Sequence, residues 1–159
     1  MSHSTSAPMW VIGWREWISM PDLEINEIKA KIDTGARSSA LHAINIERFR
    51  KQGRDMVRFD IHPHQRDARG TVLAEAELVE ERKVRSSTGQ VELRPVVLIA
   101  VKIRGRQWIT EFTLTSRYEM GFRVLLGRRA LRGRFLVDTE RSFVAGLPRG
   151  RSRSRRSRA

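Results

Sequence analysis

The chain of 159 residues contains no cysteine. Disulfide-stapled folds, zinc–thiolate sites and thiol catalysis are therefore excluded. Acid is scarce beside base, 18 Asp+Glu against 31 Lys+Arg. Six of those bases are arginines of residues 148–159, which hold no acid, so residues 1–147 carry 25 bases and 18 acids, or +7. A basic body with a strongly basic end favours acidic partners and says nothing about fold. Long apolar runs are missing as well. Val96–Val101, VVLIAV, is of strand length, far short of a membrane span. The start MSHSTSAPMW lacks the basic opening and apolar core of a secretory signal. A cytoplasmic protein without membrane contact is the expectation. There is no glycine-rich phosphate loop ending in Lys-Ser/Thr, no His-Glu-x-x-His and only four histidines, so the chain shows no ATP site or zinc-protease helix of its own.

What is present is a succession of short alternating segments separated by turn residues. Residues 1–8 are Ser-rich and read as a disordered N-terminus. Met9–Met20, with Trp10, Trp14 and Trp17, reads as a first strand bulged at Gly13, its tryptophans packing on a sheet. Ile25–Ile32 is a second strand. Asn45–Gln52 suits a short helix, with Asn45 as cap, Ile46 and Phe49 on one face and Gly53 as stop. Strands follow at Val57–Ile61, Val72–Leu78, on both sides of Ser86-Ser87-Thr88-Gly89, at Val96–Ile103, Trp108–Leu114 and Phe122–Leu126. Arg128–Arg132 makes one helical turn, and Phe135–Val137 and Ser142–Val144 complete the body. The expected fold is all-β and barrel-like, a single domain over residues 9–147. Residues 148–159, PRGRSRSRRSRA, read as a disordered Arg/Ser-rich tail. Such an arm would contact nucleic acid weakly and in a salt-dependent way.

The stretch that concentrates the chemistry is Lys31–Ala43, KIDTGARSSALHA. An alternating strand runs straight into Asp33-Thr34-Gly35 and leaves a carboxylate at its end. Ala36, Ser38, Ser39 and Ala40 follow as a small-residue run. Far downstream comes Leu125-Leu126-Gly127-Arg128, leading into Ala130-Leu131.

These two blocks resemble the catalytic loop and late apolar-Gly segment of retropepsin-like aspartic proteases, and Arg85–Val91 lies where that fold carries its flap. A closer resemblance, over about residues 10–145, is to a bacterial family labelled ATP-dependent zinc proteases and linked to ligases that modify ribosomal proteins. It rests on Ile12-Gly13-Trp14-Arg15-Glu16, Lys31–Arg37 with Ser39–Ala43, Val57-Arg58-Phe59, Val84–Ser87 with Gly89, Glu92, Arg94-Pro95, Leu114-Thr115, Arg117, Met120 and Leu125–Arg128. The resemblance implies a single-lobe acid-protease β-barrel with short helices. It implies Asp33, Thr34 and Gly35 as the catalytic loop, with Ser39, His42, Leu125, Leu126 and Gly127 as its support. Arg37, Arg85, Ser86, Ser87, Gly89, Arg94 and Arg128 are the implied substrate contacts. At Arg37 the chain departs from the retroviral pattern, which has a second aspartate there.

Aspartic proteolysis needs two carboxylates sharing a proton across a water. The chain has one Asp-Thr-Gly, and Asp138-Thr139-Glu140 lacks the glycine. The expectation is a C2 homodimer with an Asp33/Asp33 dyad, acting on peptide or isopeptide bonds of peptide or protein substrates, glutamate-rich ones in particular. No cofactor is expected; zinc enters only through the family label, and any ATP dependence would belong to an ATP-grasp ligase partner. Two other readings remain open. One is a metal-dependent hydrolase using Asp33 and His42, the other a non-catalytic RNA- or ribosome-binding module.

Overall fold

The computed structural model describes residues 9–63, 70–85, 88–116 and 121–146. The N-terminal segment 1–8, the tail 148–159, and Ser86, Ser87, Arg117 and Met120 lie outside the described residues.

Eleven strands and two short helices make up the described chain: β1 Trp10–Gly13, β2 Arg15–Met20, a 3-10 turn Pro21–Leu23, β3 Ile25–Ile32, β4 Ser39–His42, β5 Ile44–Lys51, β6 Arg54–Ile61, β7 Val72–Arg85, β8 Val91–Ile103, β9 Arg106–Thr115, β10 Val124–Leu126, α1 Arg128–Leu131 and β11 Phe135–Asp138. Nine strands form one sheet in the order β2-β3-β10-β4-β9-β8-β7-β6-β5, and a β2–β8 pairing closes its first six strands into a barrel. Strands β1 and β11 pair in parallel as a separate two-stranded sheet. The fold is thus the expected all-β single-lobe barrel with short helices.

Alternation decides which residues fill it. Along β3, Ile28, Ala30 and Ile32 are buried while Lys29 and Lys31 stay outside. Val97, Ile99, Val101 and Ile103 of β8 face them across the barrel core with Phe112 and Leu114 of β9. Each such aliphatic side chain stabilises the fold by about 1.5–3 kcal/mol.

The expected helix at Asn45–Gln52 is instead strand β5, paired antiparallel with β6. Lys51 and Arg54 are the last pair, and Gln52 and Gly53 between them both have positive φ, 52° and 75°. That is the two-residue turn whose twist matches a hairpin. Ion pairs Arg50–Asp55, Lys51–Glu75 and Arg48–Glu81 run across the β5–β6–β7 ladder. The first strand is also divided: the chain breaks at Trp14 into β1 and β2, which join different sheets. Ser142–Val144 is a bend and turn rather than a strand.

Candidate active site

Strand β10 lies between β3 and β4, parallel to the first and antiparallel to the second. The two strands that bracket the Asp33 loop are therefore held apart by a segment from the far end of the chain. The Asp33 N–H donates to the Leu126 carbonyl at 2.8 Å. Beyond β10, the Arg128 N–H donates to Ala36 O at 2.8 Å and the Arg129 N–H to Arg37 O at 3.1 Å. The Gly127 N–H donates to the hydroxyl of buried Ser39 at 3.1 Å. A Cβ on Gly127 would lie 2.6 Å from Ser38 O, so only glycine lets the two segments approach so closely.

Asp33 itself is half-buried at the end of β3. Its Oδ1 accepts the Gly35 N–H at 2.9 Å. Gly35 does not use left-handed backbone; its value is proximity, since an added Cβ would stand 3.2 Å from that carboxylate oxygen. The guanidinium of Arg128 donates to the Thr34 carbonyl at 3.0 Å. Ala130 and Leu131 of α1 are buried under the loop's support. The structure thus brings Asp33, Thr34, Gly35, Ser39, Leu126, Gly127 and Arg128 together. Arg37 joins through its carbonyl, and its side chain is exposed. Leu125 sits in register between Lys31 and Ala40, on the face that Asp33 shares.

Other expected site residues lie elsewhere. His42 is at the far end of β4. Its N–H donates to Arg123 O, three residues before Leu126 along the chain and about 10 Å away at the usual strand rise. Its ring meets Arg123, Nδ1 to Nη1 3.3 Å, and the Ser116 backbone. His42 therefore neither steadies the Asp33 loop nor forms a ligand pair beside Asp33. Burial, then the charges of Arg123 and His62, hold its pKa below the ordinary 6.5. Among the described residues no group of three or more His, Asp or Glu side chains is placed to hold a metal ion. Among the described residues Arg85 reaches Gly89 O, at 3.5 Å, on the β7–β8 hairpin. Arg94, with a side chain only 14% exposed, is ion-paired with Glu92 at 2.6 Å.

The sequence reading missed four cations on the Asp33 face. Lys29 and Lys31 precede Asp33 at alternate positions of one strand, and that spacing alone would have grouped them. Arg15 pairs with Lys31 across β2–β3, and Arg123 stands just before β10. It also missed Glu16, fully buried, whose carboxylate accepts the N–H groups of Gly13, Val144 and Ala145 at 2.6, 2.9 and 3.0 Å.

Comparison with known proteins agrees with this geometry. The family model described as retropepsin-like aspartic endopeptidase RimB matches residues 11–148. Two curated relatives named "Probable alpha-L-glutamate ligase", from Shewanella halifaxensis and Shewanella pealeana, are 39% and 40% identical over 137 residues, 86% of this chain. A third of that name, from Desulfotalea psychrophila, is 40% identical over 128 residues. The chain spans only about 30% of the length of the two Shewanella relatives. A crystal structure of Lpg0085, a Legionella pneumophila protein of unknown function, superposes with a TM-score of 0.73 at 29% identity, covering 86% of this chain and 98% of that one. By this match over most of its length, the chain belongs to the RimB-like family of retropepsin-like aspartic endopeptidases.

Proposed function

We propose that the protein is an aspartic peptidase working as a homodimer, with Asp33 of one protomer beside Asp33 of its partner, and that it hydrolyses peptide or isopeptide bonds in glutamate-rich chains. In such a pair one carboxylate takes a proton from water, whose oxygen adds to the carbonyl carbon. The protonated carboxyl supports the carbonyl oxygen and the proton passes to the departing amine as the C–N bond breaks. The single Asp-Thr-Gly of the chain is what calls for a second copy.

The observation that carries the reading is the setting of Asp33. Its carboxylate ends the face of β3 that bears Lys29 and Lys31, a cationic approach suited to an acidic chain. The curated relatives add chemical context. Their name describes a glutamate ligase, and this chain matches a minor part of them. A ligase forms an amide to glutamate, and a hydrolase of the present kind would open one. The ATP-consuming step then belongs to the ligase partner. Substrate carboxylates would be taken by the exposed cations near the loop, Arg37 and Arg128 among them.

The test is cleavage of oligo-glutamate and oligo-glutamine peptides followed by mass spectrometry, with sedimentation at the assay concentration. Cleavage confined to the glutamate peptide, lost in Asp33→Asn, by a dimer is the expected result. Equal cleavage of both peptides overturns the substrate assignment, and activity from a monomer overturns the dyad.

A further inference from the structure

The strand that delivers Asp33 also delivers an ammonium beside it. Lys31 precedes Asp33 by two residues and shares its face of β3 by alternation, with Ile32 between them buried in the core. Two residues of strand set the Cα atoms about 7 Å apart. Register fixes what flanks Lys31 at its own level, Arg15 of β2 on one side and Leu125 of β10 on the other. Beyond Leu125 the same row continues through Ala40 of β4 to Thr113 of β9. The row thus passes from two cations onto a floor of apolar and small side chains, and none of its residues is an acid. Neighbouring cations are already engaged. The Arg128 guanidinium donates to Thr34 O at 3.0 Å. Arg15 donates to the Ser142 hydroxyl at 3.1 Å and lies over the Trp14 and Phe143 rings. Lys29 lies over the Trp17 ring, 5.4 Å from its centre. Lys31 is exposed and makes no hydrogen bond, ion pair or ring contact among the described residues.

We propose that Lys31 sets the specificity of the cleft, its ammonium binding the side-chain carboxylate of the substrate residue that flanks the bond to be cut. The inference rests on the peptidase reading for that bond and for the second protomer. A substrate residue whose carbonyl lies at Asp33 directs its side chain along the strand face, and the offset to Lys31 is about 7 Å. A glutamate side chain and the flexible four-carbon stem of a lysine together close that distance. Asp33 does not neutralise the ammonium. Two Asp33 carboxylates sharing a proton hold one negative charge between them, whereas each protomer brings both Lys31 and Arg15 to the row. The surplus positive charge stands where an incoming carboxylate arrives. Leu125 and Ala40, both half-buried, carry the row on without a competing charge. Two-fold symmetry doubles the reading. The two Lys31 ammoniums lie on opposite sides of the paired aspartates, so each reads a residue on one side of the bond. The preferred bond is then one between two acidic residues.

The experiment follows cleavage by the full chain of oligo-glutamate peptides in which one glutamine is walked along the sequence, the cut bonds being identified by mass spectrometry. Thermal melts verify that each variant is folded. The native chain should cut the two bonds beside the glutamine roughly 10- to 100-fold more slowly than bonds between glutamates, the range of a hydrogen bond to a charged group. Lys31→Gln should slow the Glu–Glu bonds by that factor and leave the bonds beside glutamine unchanged, so that the preference disappears. Lys31→Arg should keep part of it, and Lys31→Glu should reverse it. Arg54→Gln, which removes an exposed cation of the β5–β6 hairpin, should leave every rate unchanged. A native chain indifferent to the glutamine, or a folded Lys31→Gln chain that keeps the native preference or slows all bonds equally, overturns the subsite and leaves aspartic hydrolysis standing. Discrimination on one side of the bond alone overturns the two-sided reading. Absence of any cleavage by the native chain overturns the peptidase reading, and binding of a fluorescent penta-glutamate peptide to the Asp33→Asn chain then decides the contact. Weakening by added Lys31→Gln, with a penta-glutamine control unaffected, sustains Lys31 as the carboxylate contact. Unchanged binding, or none in any form, overturns it.

Discussion

The hydroxyl of Ser39 and the backbone N–H of Gly127, 88 residues apart in sequence, are joined by a buried hydrogen bond of 3.1 Å. This contact and the Arg128 N–H to Ala36 O bond fasten the late segment beneath the Asp33 loop. Ser39→Ala leaves the Gly127 N–H buried without its acceptor, a loss of about 1–3 kcal/mol. Gly127→Ala drives a methyl against Ser38 O and Ala36 O, and the overpacking costs about 1–3 kcal/mol or more. Urea denaturation of the two variants checks both values. Gly127→Ala should also depress activity beyond its effect on stability, because the collision is with the loop itself.

Glu16 offers a second structural prediction. One buried carboxylate accepts three backbone N–H groups, tying the β1–β2 junction to Val144 and Ala145. Around it Trp17 stacks on Phe143 at 5.7 Å, and the Arg15 guanidinium lies 4.7 Å from the Trp14 ring centre and 5.0 Å from that of Phe143. Glu16→Ala strands all three donors at a cost of about 3 kcal/mol or more. Hydrogen exchange should show Val144 and Ala145 amides released well before those of β8. Equal protection in the variant would show that the aromatic contacts hold the segment without the carboxylate.

These two residues also mark how far the sequence could be read. The β3 strand and its Asp-Thr-Gly end are local: alternation over Ile28–Ile32 and one turn suffice, and the structure agrees. Glu16 is different, because two of its three partners are 128 and 129 residues away and no period flags a buried carboxylate. The β5 strand was hidden for a related reason. Ile46 and Phe49 at i, i+3 fit a helix face equally well, and the decision comes from β6 pairing and the Gln52-Gly53 turn. Of the expected clamps, Arg94 was already engaged by Glu92, whereas Lys29 and Lys31 were overlooked beside the motif they lead into.

The histidine of β4 sets an acid limit on stability. Its folded pKa lies below the ordinary 6.5, through burial first and then the charges of Arg123 and His62, opposed by the Ser116 backbone. A base with a lowered pKa binds fewer protons folded than unfolded, so its contribution is complete above about 6.5 and is lost as pH falls below it. The slope is at most about 1.4 kcal/mol per pH unit for one proton. Denaturation midpoints between pH 7.5 and 5 should therefore fall more steeply in the native chain than in His42→Gln. Parallel curves would remove His42 from the account.

A zinc-protease reading and the dyad model predict opposite responses to chelation. No metal enters the dyad mechanism, so prolonged EDTA treatment should leave cleavage of a glutamate peptide unchanged. Asp33→Asn should lower it by at least about 10²-fold, the scale of a lost acid–base group. Subunit mixing then separates an intersubunit dyad from two independent sites. If each dimer needs both Asp33 carboxylates, a 1:1 mixture of native and Asp33→Asn chains, reassociated at random, retains about one quarter of the native activity. Independent sites would retain one half. A value near one half, with dimers verified by sedimentation, would remove the shared dyad. Activity lost to EDTA and restored by zinc would move the chemistry to a metal centre even if Asp33 proved essential.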